Sequence, residues 1–455
     1  MNSDRSAQLG TESIPRLLLK FSMPAIVGMM AQALYNIIDR IFVGQAIGPD
    51  GLAGVTVAFP FMLIAMAFSM LIGFGATALI SIRLGEQEKA EAERILGNAS
   101  VLLVVVSLLI TILGLLFLDN ILVIFGASKA VLPYARDYLK IIVLGSVFQM
   151  VGFGLNAAIR GEGNPRIAML SMLISVVLNA ILAPIFIFGF SWGMKGAAWA
   201  TVVGQSVSAI WVVAYFLGGA SLLKLHRRNF HLDRDICIKI FVIGSPPCVM
   251  QLAASVLQSI LNHQLFVYGG DLAIAAMGII FSVFMFFSMP IFGLNQGTQP
   301  IIGYNYGARR YDRVKKTLET AILAATSMTV LGFVIVMLFP VQVIRLFDRD
   351  NQALIALGSH AIRIAMLMSP LVGFQIVSAS YFQAVNKPRE AMLLMLSRQL
   401  LLLIPAVIVL PHFFGLDGVW AAMPTADFIS SALTGICLLI ELRHLKKRHL
   451  ATERT

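Results

Sequence analysis

The chain has 455 residues, of which 58% are hydrophobic and 13% charged, and its mean hydropathy is +0.86. A soluble protein carries about a quarter charged residues, so this composition excludes an ordinary water-soluble domain, and apolar runs that are continuous instead of alternating exclude a membrane β-barrel. The net charge of +11 does not mark a nucleic-acid binder, because the basic residues recur at alternate loops and are not gathered on one segment.

A helix needs about 20 apolar residues to cross the hydrocarbon layer. Apolar runs between charged and Gly/Pro breaks predict twelve such helices, at roughly 17–45, 51–82, 95–118, 132–159, 166–190, 195–218, 237–268, 273–304, 317–340, 355–382, 391–411 and 417–441. The longer ones imply tilt, kinks or ends that project from the bilayer. Ahead of them, Met1 to Arg16 is polar and has no short apolar core with a small-residue cleavage site, so it reads as a cytoplasmic lead-in. With the N-terminus inside, the tails and the loops after spans 2, 4, 6, 8 and 10 hold most of the 34 Lys and Arg, including Arg227, Arg228, Arg309, Arg310, Arg313, Lys315 and Lys316. That bias puts both termini in the cytoplasm. The longest linker, about Gly219 to Asp235, is polar and basic. It divides the chain into an N-terminal lobe over 1–218, a cytoplasmic linker over 219–236 and a C-terminal lobe with its tail over 237–455.

The two halves repeat at an offset of about 220 residues. Pro24 matches Pro246, Phe68-Ser69-Met70 returns as Phe287-Ser288-Met289, and Gly85 matches Gly307. Asn164-Pro165-Arg166 corresponds to Lys387-Pro388-Arg389, and the Gly196 segment opening span 6 to the Gly418 segment opening span 12. An even number of spans per half makes both halves cross in the same sense. The expected fold is therefore all-α, with two six-helix lobes related by a pseudo-two-fold axis along the membrane normal, a geometry suited to alternating access.

The residues that carry chemistry are few. Asp39 sits inside span 1, and intramembrane carboxylates usually line cavities or ion paths. A desolvated carboxylate favours its neutral form, so Asp39 either loads and releases a proton or, ionised, holds Na⁺ with neighbouring oxygens. A structural pair with Arg40 competes with this, although adjacent helical residues point apart and Arg40 can snorkel outward. Gln32 and Tyr35, on the same helix, and Asp427 in span 12 are candidates for the substrate pathway; Asp427 either faces a cavity or bonds a neighbouring helix. Asn179 in span 5 and Thr201 in span 6 are neutral oxygen donors, each by itself read first as an interhelical hydrogen bond. Pro24 and Pro184 interrupt the helices that carry Asp39 and Asn179, as hinges or static kinks. His263 reads as part of a helix-end polar group with Asn262 and Gln264. Cys237, Cys248 and Cys437 lack metal spacing and form no disulfide framework, and no metal or cofactor site is expected.

At these residues the sequence resembles the multidrug and toxic compound extrusion (MATE) family over essentially its whole length. The resemblance rests on Pro24 with Asp39 to Gly44, Gly51 to Gly54, and Asn179 before Pro184 to Gly189. It continues through Gly196 to Thr201, Gln296-Gly297, Asn305 to Ala308, and Gly418 to Trp420 with Pro424 and Asp427. It implies a coupling-ion site made of Asp39, Asn179, Thr201 and the backbone of Ala197. Ala183 stands where many relatives carry aspartate, which favours H⁺ over Na⁺. The implied activity is secondary antiport: export of cationic or amphipathic small molecules from a monomer in a prokaryotic inner membrane, in contact with lipid and with no nucleic-acid partner. The alternative is a flippase for a lipid-linked substrate, or an exporter of a single endogenous metabolite. A flippase is expected to line its cavity with Arg and Lys, and the deep spans are nearly free of basic residues. An enzyme is not expected, since no catalytic carboxylate pair, Ser/His pair or metal motif falls within the spans, and no Walker motif points to ATP.

Overall fold

In the computed structural model, residues 8–125, 127–347 and 351–452 are described, and they contain helices and no strand. The membrane-sized helices are α1 (Ile14–Ile47), α2 (Pro49–Gly85), α3 (Lys89–Leu116), α4 (Leu132–Gly161), α5 (Pro165–Gly189) and α6 (Gly193–Leu217). The second half contributes α7 (Arg234–Gly270), α8 (Leu272–Gly307), α9 (Tyr311–Leu338), α10 (Gln352–Ala384), α11 (Pro388–Phe414) and α12 (Leu416–Thr452). Eleven of them are long and apolar enough to cross a membrane unbroken. The twelfth, α10, is two pieces, Gln352–Ala365 and Ser369–Ala384, that meet at 48°. Pro370 follows the break and has no N–H to bond back across it. The chain is an integral membrane protein whose helices lie where the apolar runs predict, within several residues.

The internal repeat is written into the backbone. Among the described residues, eight of the nine left-handed ones fall in pairs, Gly48 with Gly270, Gln87 with Arg309, Gly163 with Asn386 and Gly193 with Gly415, Ser191 being the exception, each pair at the Pro24–Pro246 interval to within one residue. Gly48 and Gly270 do the same work in the two halves: each turns one long helix into the next at a φ of +85° or +64°, a conformation that strains any residue with a Cβ.

Apolar packing separates two levels of the molecule. One cluster draws buried side chains from all twelve helices, from Leu17 and Ile80 in the first half to Ile301 and Leu445 in the second. It lies at the level of the chain termini. At the opposite level the packing splits in two. One cluster, including Val43, Phe61, Ala183 and Ala197, is confined to α1–α6 and the segment joining α3 to α4. The other, including Leu265, Ile280, Val407 and Trp420, is confined to α7–α12 and the segment joining α9 to α10.

The joined level is close-packed down to backbone. A Cβ placed on Gly85 would lie 2.0 Å from the Tyr304 carbonyl oxygen, and one on Gly307 would lie 2.1 Å from that of Ile82, so α2 and α8 touch reciprocally. The N-terminal lead-in belongs to this seam as well. Leu9 is fully buried, Arg310 donates to the Gly10 carbonyl at 2.6 Å, and Arg313 donates to those of Leu9 and Glu12 at 3.2 and 2.6 Å. Residues 1–7 lie outside the described residues. The linker is also less solvated than its basic composition suggests. Ser221 Oγ donates to Glu162 Oε2 at 2.7 Å, the Leu223 amide donates to the same oxygen at 3.1 Å, and Leu223 is fully buried.

Candidate functional site

Three helices of the first lobe bring the polar residues of the sequence together. Tyr35 and Asp39 lie one turn apart on α1, and Asn179 and Thr201 come from α5 and α6; all four are buried, with relative exposures of 8%, 5%, 3% and 2%. Tyr35 Oη is 2.9 Å from Thr201 Oγ1, and Asn179 Nδ2 donates to that same Thr201 oxygen at 3.1 Å. Thr201 in turn donates to the carbonyl of Ala197 at 3.1 Å. A hydroxyl has one proton and two lone pairs, so Tyr35 is the donor in the first bond. Thr201 Oγ1 is thereby saturated, with its proton on Ala197 and both lone pairs taken. A cation could use this oxygen only after Tyr35 or Asn179 let go. The side chain of Arg40, weighed above as a partner for Asp39, lies outside the described residues.

Ala183, one turn beyond Asn179, is fully buried in the first lobe's apolar cluster with Ile187, Met194 and Ala197. Pro184 ends the α-helical part of α5, which continues as a π-turn over Ile185–Gly189. A proline offers no N–H to the carbonyl four residues back, and wider π-turns form where the ladder is interrupted. Pro24 lies within the unbroken helix Ile14–Ile47. Gln32 is half-buried. His263 is exposed on α7, and Asn262 accepts a 2.9 Å bond from Gln258.

Asp427 does not join this cluster. It lies in the other lobe, 3% exposed, and accepts a 2.5 Å bond from Arg398 Nε. Arg398 sits in a π-turn of α11, Ser397–Leu403, and the pair is walled by Phe281, Phe284, Met366, Ser369 and Met423. Arg398 is thus a cation within a span, in deep spans otherwise nearly free of basic residues; Arg160, 4% exposed and bonded to Asn156, lies in the last turn of α4. The sequence signal for Arg398 was a lone Arg in the apolar run from Met392 to Val409. Among the described residues three further carboxylates are buried, Glu93, Glu162 and Glu441, and the last two had no such signal. Glu162 holds Tyr215 and the linker, and Glu441 binds Lys387 and accepts from Tyr381 at 3.2 Å. Burial pushes the Glu162 carboxyl above the usual carboxylate range, and its bonds from Tyr215, Ser221 and Leu223 offset part of that. Among the described residues no group of three or more His, Cys, Asp or Glu could hold a metal ion.

Twelve helices in two pseudo-symmetric lobes, with polar residues meeting inside one of them, define a membrane transporter of the two-lobe type. The chain belongs to the MatE family, whose model matches residues 24–185 and again 246–408, one match per half. It is similar to Multidrug export protein MepA of Staphylococcus haemolyticus (strain JCSC1435), at 29% identity over 421 residues and 92% of each chain. The same protein of Staphylococcus aureus (strain MRSA252) is 27% identical over 428 residues, 94% of each chain. Among solved structures, that of the MATE multidrug transporter DinF-BH, determined as a complex, is 40% identical, with a TM-score of 0.89 over 96% of this chain and 97% of that one. A MATE in the bent conformation superposes with a TM-score of 0.92 at 26% identity, over 98% and 99% of the two chains.

Proposed function

We propose that this protein is a secondary active multidrug efflux antiporter that exports cationic amphipathic compounds in exchange for H⁺. The observation that carries the reading is the buried carboxylate of Asp39, one turn from a hydrogen-bonded Tyr35–Thr201–Asn179 cluster that ties α1 to α5 and α6. The multidrug exporters among its relatives support the substrate class. Two features favour H⁺ over Na⁺: Ala183 supplies no second carboxylate, and the Thr201 oxygen is already saturated. A proton needs one basic oxygen, whereas Na⁺ needs several free ones.

With both termini cytoplasmic, the cluster shared by all twelve helices seals the cytoplasmic side, and the separate clusters let the lobes part toward the outside. Protonation of Asp39 from outside removes a charge from the interior of α1. That changes how α1 packs on α5 and α6, and the lobe expels the drug. Inward rocking then returns the proton to the cytoplasm. Each net charge moved inward contributes about 2.3 kcal/mol per 100 mV, enough for modest concentrative export. The flippase reading gains little from Arg398, whose charge is paired with Asp427.

The test is export of a fluorescent cation from proteoliposomes under a pH gradient and, separately, a Na⁺ gradient. Efflux driven by the pH gradient and lost in Asp39→Asn supports the reading. Full proton-driven efflux in Asp39→Asn overturns it.

A further inference from the structure

Outside the lobe interior, a strongly charged concavity lies at the terminal end of α1. It is a cleft of about 480 Å³ lined by Glu12, Arg16, Leu19, Lys20, Met23, Pro24 and Arg166. Glu12 sits at the bend before α1, Arg16, Leu19, Lys20, Met23 and Pro24 follow along one stripe of α1 at helical spacing, and Arg166 lies in the first turn of α5. Three cations thus surround one carboxylate. Glu12 bonds Lys20 at 3.1 Å and lies 3.5 Å from Arg16, while Arg166 makes no ion pair with the described residues. The cleft keeps a net positive charge.

Its other wall is apolar and open. Leu19 is 63% exposed and Met23 50% exposed, and Val27 continues the same stripe toward the middle of the span. Deeper in, Gly28 packs against Met172 and closes the gap between α1 and α5. Cations at the mouth and an exposed apolar track leading toward the bilayer interior match the two ends of one molecule.

We infer that this cleft binds an anionic phospholipid from the leaflet on the side of the termini. Its phosphate sits among Arg16, Lys20 and Arg166, and an acyl chain lies along Leu19 and Met23. Basic pockets between transmembrane helices are suited to such head groups, each Lys or Arg near the surface adding about 1 kcal/mol, a factor of about five in affinity. The occupied cleft abuts Pro24, where α1 lacks a backbone donor, so the lipid braces the terminal end of the helix that carries Asp39.

Native mass spectrometry of the purified protein, given equal amounts of phosphatidylglycerol and phosphatidylcholine, tests this. One phosphatidylglycerol should be retained in preference. Arg166→Gln should weaken it about fivefold and the triple variant Arg16→Gln, Lys20→Gln, Arg166→Gln about 100-fold. Glu12→Gln removes the competing carboxylate and should tighten it, which keeps the test decisive if the triple variant unfolds. Equal retention of phosphatidylcholine, or unchanged retention in Arg166→Gln and Glu12→Gln, overturns the inference. Displacement of the lipid by excess inorganic phosphate also overturns it, because the site would then be one for the free anion.

Discussion

Tyr35 donates its hydroxyl proton to Thr201 Oγ1 at 2.9 Å, so α1 is bonded to α6 one turn before Asp39. If protonation of Asp39 acts by changing how α1 packs, this bond resists the change. A neutral buried hydrogen bond contributes about 1 kcal/mol, about fivefold in a rate if it differs between the resting and transition states. Tyr35→Phe should therefore alter proton-driven efflux by about that factor, while Asp39→Asn abolishes it. Efflux rates from proteoliposomes at fixed pH gradient measure both. Equal loss in the two variants would mean that Tyr35 does more than hold the helix.

The span pattern, the repeat and the polar residues of α1, α5 and α6 were legible because a charge or amide in a long apolar run has few reasons to be there. Tyr35 was harder to place. It reads as a candidate for the substrate pathway until the structure shows its hydroxyl on Thr201. A lone Arg398 in an apolar run is explained equally well by snorkelling; its neutralisation by Asp427, twenty-nine residues away in sequence, is a tertiary fact. Glu162 looks like a solvated loop carboxylate. Nothing local says that Tyr215, Ser221 and Leu223 will fold over it. The break in α10 was concealed because both of its pieces are apolar, and hydropathy does not record direction.

Glu162 gives the chain a pH-dependent stability. Its folded carboxyl is raised above the ordinary value, chiefly by burial, so over the range between the unfolded and folded values the folded state binds more protons than the unfolded one. Stability therefore falls as pH rises through that range and levels off above it. Melting temperature in detergent should be higher at mildly acidic than at mildly alkaline pH, and Glu162→Gln should flatten that dependence. A profile unchanged by Glu162→Gln would assign it to other groups.

The Arg398–Asp427 pair should behave as a buried ion pair. Removing one partner leaves the other charge in an apolar surround and costs about 3–5 kcal/mol, whereas replacing both with apolar residues of similar size is close to neutral. Arg398→Met is thus expected to lower the melting temperature sharply, and Arg398→Met with Asp427→Leu to recover most of the loss. If the double variant is stable but no longer exports a dye that the native protein exports, the pair also takes part in transport. If it exports normally, the pair holds α11 to α12 and nothing more.

Closure at the level of the termini depends on glycines that let backbones touch. A Cβ on Gly244 would lie 1.7 Å from the Leu71 carbonyl oxygen, where α7 meets α2, and one on Gly307 would lie 2.1 Å from that of Ile82, where α8 meets α2. In both cases the opposing atom belongs to backbone, so no rotamer change relieves the overlap and the lobes must separate. Overpacking of this kind costs about 1–3 kcal/mol, which shifts a two-state equilibrium by about 5- to 150-fold. The cost falls on the conformation described here and not on one in which the lobes part at this level, so Gly244→Ala and Gly307→Ala should populate the latter. Spin labels at Glu88 and Arg309, on the α2–α3 and α8–α9 turns, report the separation. The glycine variants should add a longer component to the distance distribution, at unchanged overall helicity. An unchanged distribution with a lowered melting temperature would mean that the overlap strains one state without opening another.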